Sequence, residues 1–551
     1  MISPTTNLTP CKTSLLAITF GFWVGVTFLL YGFQLSGGWR FDDGHHLAYL
    51  ETYGRALNYF YSPEVARLQS GAHFTPFNIF TYDLAHQFFS LTNPAGFYGF
   101  HLAALGISVG LLFLALRAYT SRIAAAVGAT FFLLGFPTAG ISGQLMVGHY
   151  VLGFSFAALF IYFYIRSPAF KPAFVLSAVF YFLACACKEI FIPLIAIPLV
   201  DPRSSLRVKV QHTVLLGLAF LIFWAVRTAM IQQAVGGYNV NVETSLLESI
   251  RLVVQGLIDY FAASLSGIVL GGFCIVTVCI SVIAVWRRFG TLAAGMVMCG
   301  AIAIVIVPLL AVPYQVTPQT PVEIRLLSMF WWVLAFAAAS SVAYVSTLTS
   351  NGVAVFASCA LLTVSAWNTV TYVHHGELSS IEREFDAFSA YVVQKRSCHL
   401  VDAMGWSSAI DALYSAVWPN TSHRIVAPLA IIELTGMPGD SVCAFEHGSI
   451  VETGKIEQKR SCDMTEPLGV ILSYDGAHIT FSFSSSAPGT YYLEVPDRYF
   501  LSLPSKLTGA FPDPNRFSIF RVLKILNNGD VTCSPLLHFV PNKAETFEWH
   551  R

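Results

Sequence analysis

Apolar residues in this chain fall in long, nearly unbroken runs and not at the spacing of a soluble helix or strand. Runs of about 18 residues or more read as transmembrane helices. They lie at 14–34, 97–118, 123–140, 146–165, 172–187, 190–200, 213–233, 261–286, 291–312, 327–345 and 353–373. The pattern predicts a polytopic α-helical membrane protein with about eleven spans over residues 1–373. Only Lys12 precedes the first run, which lacks a small-residue cleavage site, so it reads as a retained span. Two runs, 172–187 and 190–200, are short for a bilayer about 30 Å thick. Fused, they would bury Lys188 and Glu189 mid-membrane, so two spans with these residues at an outer turn are expected.

Positive charge orients the spans. Arg117 with Arg122, Arg166 with Lys171, Arg203, Arg207 and Lys209, and Arg287 with Arg288 all fall in alternate short loops. Those loops read as cytoplasmic. The N-terminus is then inside and the C-terminus outside, as a multi-pass protein of the cytoplasmic (inner) membrane with a periplasmic C-terminal region. Membrane lipids are accordingly expected partners.

The polar stretches add two features. The first outer loop, 35–96, is too long for a connection, and at 48–61 and 75–91 it shows helical spacing rich in Tyr and Phe. Such helices suit the membrane interface or the wall of a site for a lipid-borne substrate. From residue 374 to 551 no further span occurs. A helical stretch at 378–418 precedes strand-like runs at 470–473, 479–483 and 490–495, which predicts an extracytoplasmic α+β domain. Cys398, Cys443, Cys462 and Cys533 lie in it, and an oxidising compartment would permit two disulfides of unspecified pairing.

Composition agrees with the patterning. Hydrophobic residues make up 55% of the chain and charged residues 11%, which excludes an ordinary soluble domain. With a formal net charge of zero and no basic arm, no nucleic-acid partner is expected. No phosphate-binding glycine loop, dinucleotide fingerprint or nucleophile elbow appears.

Chemistry concentrates where the first span ends, in Gly38-Trp39-Arg40-Phe41-Asp42-Asp43-Gly44-His45-His46. An aspartate pair here resembles the signature of GT-C class glycosyltransferases, which take sugars from polyprenyl-phosphate carriers. Phe74-Thr75-Pro76 with Asn93-Pro94, the Lys188-Glu189 turn, and Val322-Glu323-Ile324-Arg325 resemble the branch containing protein O-mannosyltransferases and bacterial lipid-sugar transferases. The resemblance covers roughly residues 14–373.

It implies inverting transfer to an acceptor hydroxyl, with Asp42 or Asp43 as general base and the other positioning. An aspartate before a helix can also simply cap it. Lys188, Arg325 and Arg227 are the candidates for the donor phosphate, as charges that either bind it or snorkel to headgroups. Glu189, Glu323, His149, His101 and Gln144 are candidates for sugar or acceptor contacts. His45 and His46, three residues beyond the aspartates, would share helix faces with them and could hold a divalent ion, magnesium or manganese, or form a solvated loop. Expected partners are the polyprenyl-phosphate sugar and a lipid glycan, polysaccharide or exported-protein acceptor.

Alternatives are a lipid-linked glycan transporter or flippase, an oligosaccharide ligase or polymerase, and a membrane-anchored binding module. Transporters usually show internal repeats and midplane charges, and neither is evident here.

Overall fold

The long apolar runs fold as helices. Among the described residues, eight are long and apolar enough to cross a membrane: Leu15–Ser36, Pro94–Tyr119, Leu145–Arg166, Leu206–Ile231, Leu265–Phe289, Thr291–Leu310, Val322–Leu348 and Gly352–Val373. A ninth exists if Arg122–Leu133 and Phe136–Ser142, bent by 60° at their junction, form one span. The computed structural model describes residues 13–70, 73–167, 171–232, 245–318, 321–375, 377–401, 407–418, 426–446, 449–457, 461–462, 468–474, 479–485, 488–495, 499–503, 506–509, 519–528, 530–538 and 545–550. The chain divides into two units: Met1–Ser36, Ala95–Val226 and Val235–Ser379 form the first, and Gly37–Pro94, Arg227–Ala234 and Ser380–Arg551 the second.

In the first unit, the expected spans 172–187 and 190–200 are the shorter apolar helices Pro172–Cys187 and Glu189–Val200. Lys188 is extended between them (φ −162°, ψ 143°), and Pro193 interrupts the second, whose first part is a 3₁₀ helix. The two arms make a hairpin. The Tyr181 hydroxyl donates to the Ile192 carbonyl (2.9 Å), and at the open end the Tyr164 hydroxyl donates to Asp201 (3.0 Å). Residues 164 and 201 thus lie at one level, so the segment between them returns to where it began and is not a single fused span.

The bent pair has a definite cause. Gly135 sits under the Trp331 indole, where a Cβ would fall 1.8 Å from the ring nitrogen, and Pro137 cannot continue the ladder. Carbonyls released at a break inside an apolar bundle need partners. Trp331 Nε1 donates to Phe131 O (3.0 Å), Thr138 to Phe132 O (2.6 Å), and Tyr31 to Leu133 O (2.5 Å). Ser365 (3.0 Å) and Thr369 (2.6 Å) both donate to Leu134 O. Side chains from three other helices therefore satisfy the break.

The second unit joins the loop after the first span to the C-terminal region. The loop contributes Asp43–Tyr53, Asn58–Tyr61, Pro63–Gln69 and Pro76–His86, with Gly54 at φ 79° ending the first of these helices. The C-terminal region contributes the helices Glu377–Val393, Ser407–Val417 and Leu429–Thr435 and three sheets. The predicted strands appear as Leu468–Tyr474, Ile479–Ser485 and Gly489–Val495. The expected helix over 378–418 is interrupted. His399–Val401 is a strand between parallel neighbours, held in the sheet by the Cys398–Cys443 disulfide. A second disulfide joins Cys462 to Cys533. Ala427, Ile431, Ile432, Val442, Ile456, Leu523 and Val531 form a buried core of this region.

Candidate functional site

The turn bearing the aspartate pair is built in the second unit. Gly38 lets the backbone pass against Ser389, whose Cβ would lie 2.3 Å from an added methyl, and Gly44 lies equally close to the Ala409 carbonyl (2.0 Å). Between them Phe41 adopts φ 51°, a conformation that costs a non-glycine residue about 1–3 kcal/mol. It is held there because its ring is buried against Phe385, 4.9 Å between centroids. Trp39, also buried, donates from its indole to Leu91 O (2.9 Å). Together with Gly44, Phe388, Ala409, Ile410 and Leu413, these rings line a small apolar cavity under the turn.

Arg40 and Asp43 close the turn on each other. The Arg40 amide donates to Asp43 Oδ2 (2.8 Å), and the Asp43 amide donates to Arg40 O (3.0 Å). Asp43 Oδ1 accepts from the Tyr82 hydroxyl at 2.5 Å. Arg40 is buried, a position that requires compensation. Asp386 supplies it bidentately, at 2.6 Å to Nε and 2.7 Å to Nη2, and Glu382 lies 3.4 Å from Nη1. Asp386 also accepts from the Gly38 amide (2.8 Å), and Ser389 from the Trp39 amide (2.8 Å).

Burial separates the two aspartates. Burial pushes the Asp43 carboxyl up to about 7, against the Arg40 amide and Tyr82 hydroxyl that favour its ionised form, while neighbouring Asp42 raises it further. Burial likewise pushes Glu382 up to about 7, opposed by Arg40 and assisted by Asp386. Asp42 is half-buried, at the position that would cap Asp43–Tyr53, yet its carboxylate makes no capping hydrogen bond. Asp43 is the residue built into the fold. Asp42 is the one that reaches solvent.

His46 Nε2 lies 3.1 Å from the Asn78 amide, with its ring against Tyr82. His45 is half-buried on the same helix. Among the described residues no group of three or more His, Cys, Asp and Glu side chains is placed to hold a metal ion. The Asp42/His45 and Asp43/His46 pairs therefore do not extend to a three-ligand set. Arg227 is buried near the end of Leu206–Ile231 and belongs to this unit, where the adjoining Gln232 accepts from Arg67 (2.7 Å).

The other predicted residues belong to the first unit, where three of them gather. Gln144 donates to the Val322 carbonyl (3.1 Å), beside the ion pair in which Arg325 holds Glu323 through Nε (3.1 Å) and Nη2 (3.0 Å). Gly140 permits this approach by packing on Ile324. His101 donates to Ile141 O (2.9 Å), and His149 is buried against Tyr150. Lys188 and Glu189 lie at the turn of the Tyr181–Ile192 hairpin.

The residues framing the turn that sequence inspection misses are Arg40, Tyr82, Glu382 and Asp386. Arg40 stands in the marked stretch, but nothing local shows its partners. Glu382 and Asp386, spaced four apart on one helical face, are the one available signal. No protein-family model, no curated protein and no solved structure matches the chain.

Proposed function

We propose that the chain is a membrane glycosyltransferase that moves a sugar from a polyprenyl-phosphate carrier to an acceptor hydroxyl outside the cytoplasmic membrane. What carries this is the aspartate turn. A general base must meet its substrate and still be held in place, and Asp42 is half-exposed with its carboxylate unused by the helix cap. Asp43, Arg40, Tyr82 and Asp386 fix the backbone on both sides of it. In the proposed step the acceptor oxygen attacks the anomeric carbon and its proton passes to Asp42. The bond from that carbon to the phosphate oxygen breaks, and polyprenyl phosphate leaves with the electron pair. The configuration inverts.

Lys188, Arg325 and Arg227 are the proposed cations for the leaving phosphate. Arg325 offers a planar fork suited to it, and would exchange Glu323 for the phosphate on binding. Gln144 and Glu323 are proposed to contact sugar or acceptor, together with Glu189, His101 and His149.

Chain topology supports an outer placement of the site. A bilayer cannot run through one compact unit, so Gly37–Pro94, Arg227–Ala234 and Ser380–Arg551 share one side. Four full-length spans separate the last two of these. Between the first two lie Pro94–Tyr119, the bent pair, Leu145–Arg166 and Leu206–Ile231, besides a hairpin that returns to its own side. Both counts are even when the bent pair crosses. Arg117, Arg166, Arg203 and Arg287 then fall together on the opposite, cytoplasmic side, and the disulfides Cys398–Cys443 and Cys462–Cys533 fall in an oxidising compartment.

The broken helix is the feature that favours a transporter, because transporters bind substrate at such breaks. Here neighbouring side chains already donate to all four freed carbonyls, and Leu134 O accepts two such bonds, so the break is closed by the protein's own groups. The test uses the full chain in lipid vesicles with a synthetic polyprenyl-phosphate sugar and candidate acceptors. Free polyprenyl phosphate together with a new glycosidic bond is the expected product. Movement of intact donor across the bilayer without bond formation would favour the transporter.

A further inference from the structure

The helix Leu246–Ala262 stands in the chain between two full-length spans, Leu206–Ile231 and Leu265–Phe289, but carries Glu248, Arg251, Gln255 and Asp259. At about 100° per residue its side chains sort into three sectors, roughly a third of a turn apart. Ser249, Val253, Gly256 and Tyr260 occupy one sector, and all four are buried. Leu247, Ile250, Val254 and Ile258 occupy the second, and all four are exposed. The four polar residues occupy the third and pair with one another. Arg251 donates to Glu248 (2.8 Å) and Gln255 to Asp259 (2.8 Å). A surface helix of a soluble domain has two such sectors, not three. A third sector, apolar yet exposed, implies a second apolar medium.

Two anchors give the level of this helix. On its buried face, Gly256 meets the Val316 carbonyl, which an added Cβ would approach to 1.7 Å, and the Tyr260 hydroxyl donates to Thr317 O (2.8 Å). That turn follows the end of the span Thr291–Leu310. At its C-terminus the helix leads within three residues into the next span, at Leu265. Its middle and its end are therefore both tied to the boundary of the membrane, so it runs along that boundary. The exposed apolar sector continues into Leu265 and Ile268, at the start of a helix long and apolar enough to cross a membrane, on which Ile275 and Val276 are likewise exposed.

We infer that Leu246–Ala262 lies flat in the membrane surface, with Leu247, Ile250, Val254 and Ile258 among the acyl chains and the polar sector toward water. This inference concerns the membrane and is independent of the transferase assignment. The lipid contact is apolar in origin, because the polar sector holds one arginine against two carboxylates and gives no attraction to anionic headgroups.

The experiment places one cysteine at a time at 250, 254, 258, 251 or 255, in a full chain whose Cys11, Cys279, Cys299 and Cys359 are replaced by alanine. Labelled with a small fluorophore and reconstituted in phosphatidylcholine vesicles, each variant is quenched by brominated acyl chains or by aqueous iodide. These side chains are exposed or on the polar face, so labelling leaves packing intact. Bromolipid quenching is expected to be several-fold stronger at 250, 254 and 258 than at 251 and 255, with equal depth at the three apolar positions. A helix inclined along the membrane normal would instead separate 250 from 258 by about 12 Å. That gradient, equal iodide access at 254 and 255, or protection of 254 from both quenchers by a protein partner, would each overturn the inference.

Discussion

Arg40 holds Asp386 by both ends of its guanidinium, at 2.6 and 2.7 Å, across 346 residues of sequence. The pair fastens the turn that carries Asp42 to a helix of the C-terminal region. That region and the loop after the first span thereby form one framework around the turn. Planar, two-point contact of this kind fixes orientation as well as distance.

Removing one member of a buried, paired set leaves the others uncompensated, at a cost of about 3–5 kcal/mol. Arg40→Ala is therefore expected to loosen the second unit, seen as faster limited proteolysis within Gly37–Pro94 and Ser380–Arg551. Arg40→Lys keeps the charge but loses the fork, and its proteolysis rate should fall between those of wild type and Arg40→Ala. If Arg40→Ala proteolyses at the wild-type rate, the latch does not hold the turn.

Two glycines make a second contrast. Gly44→Ala places a methyl 2.0 Å from the Ala409 carbonyl, whereas Gly454→Ala, in the same unit, meets nothing within 4 Å. Backbone cannot yield as a flexible side chain would, so the Gly44 variant should lose thermal stability, and with it the proposed transfer activity, while the Gly454 variant keeps both. Equal melting temperatures would contradict the close packing of Asp43–Tyr53 on Ser407–Val417.

The carboxyls of Asp43 and Glu382, both raised to about 7, should leave a mark on stability against pH. Each binds its proton more tightly folded than unfolded, where carboxyls titrate near 4. Their contribution is full below about pH 4 and is lost as pH rises toward 7, by at most about 1.4 kcal/mol per pH unit per group. Asp43→Asn and Glu382→Gln should each flatten that decline in a thermal unfolding series. Unchanged slopes in both would show that neither group stays protonated in the fold.

The cysteines report on compartment. The chain has eleven, and of the ten among the described residues four are bridged. Thiol labelling of denatured protein should therefore rise by four when reductant is added. Eleven at the outset would place the C-terminal region in a reducing compartment and contradict the outer assignment.

Much of the membrane fold was legible because a span needs only a continuous apolar run, which 14–34 and 353–373 display directly. The bend at Gly135 was not, since Gly-Phe-Pro sits inside an unbroken apolar run and the partners of its carbonyls come from residues 31, 331, 365 and 369. The aspartate pair stood out as charge at a helix end. Its framework did not, because an ion pair between Arg40 and Asp386 leaves no local pattern. The strand His399–Val401 hid for a similar reason: Cys443, which holds it by the disulfide to Cys398, lies 45 residues away.

The most direct measurement compares wild type with Asp42→Asn, at matched folding, for release of polyprenyl phosphate from a synthetic polyprenyl-phosphate sugar in the presence of acceptor. If Asp42 is the proposed general base, the substitution should cut the rate by roughly 10²–10⁴-fold while donor binding persists. Undiminished release by the Asp42 variant, or no acceptor-dependent release by wild type with any polyprenyl-phosphate sugar, would contradict the assignment.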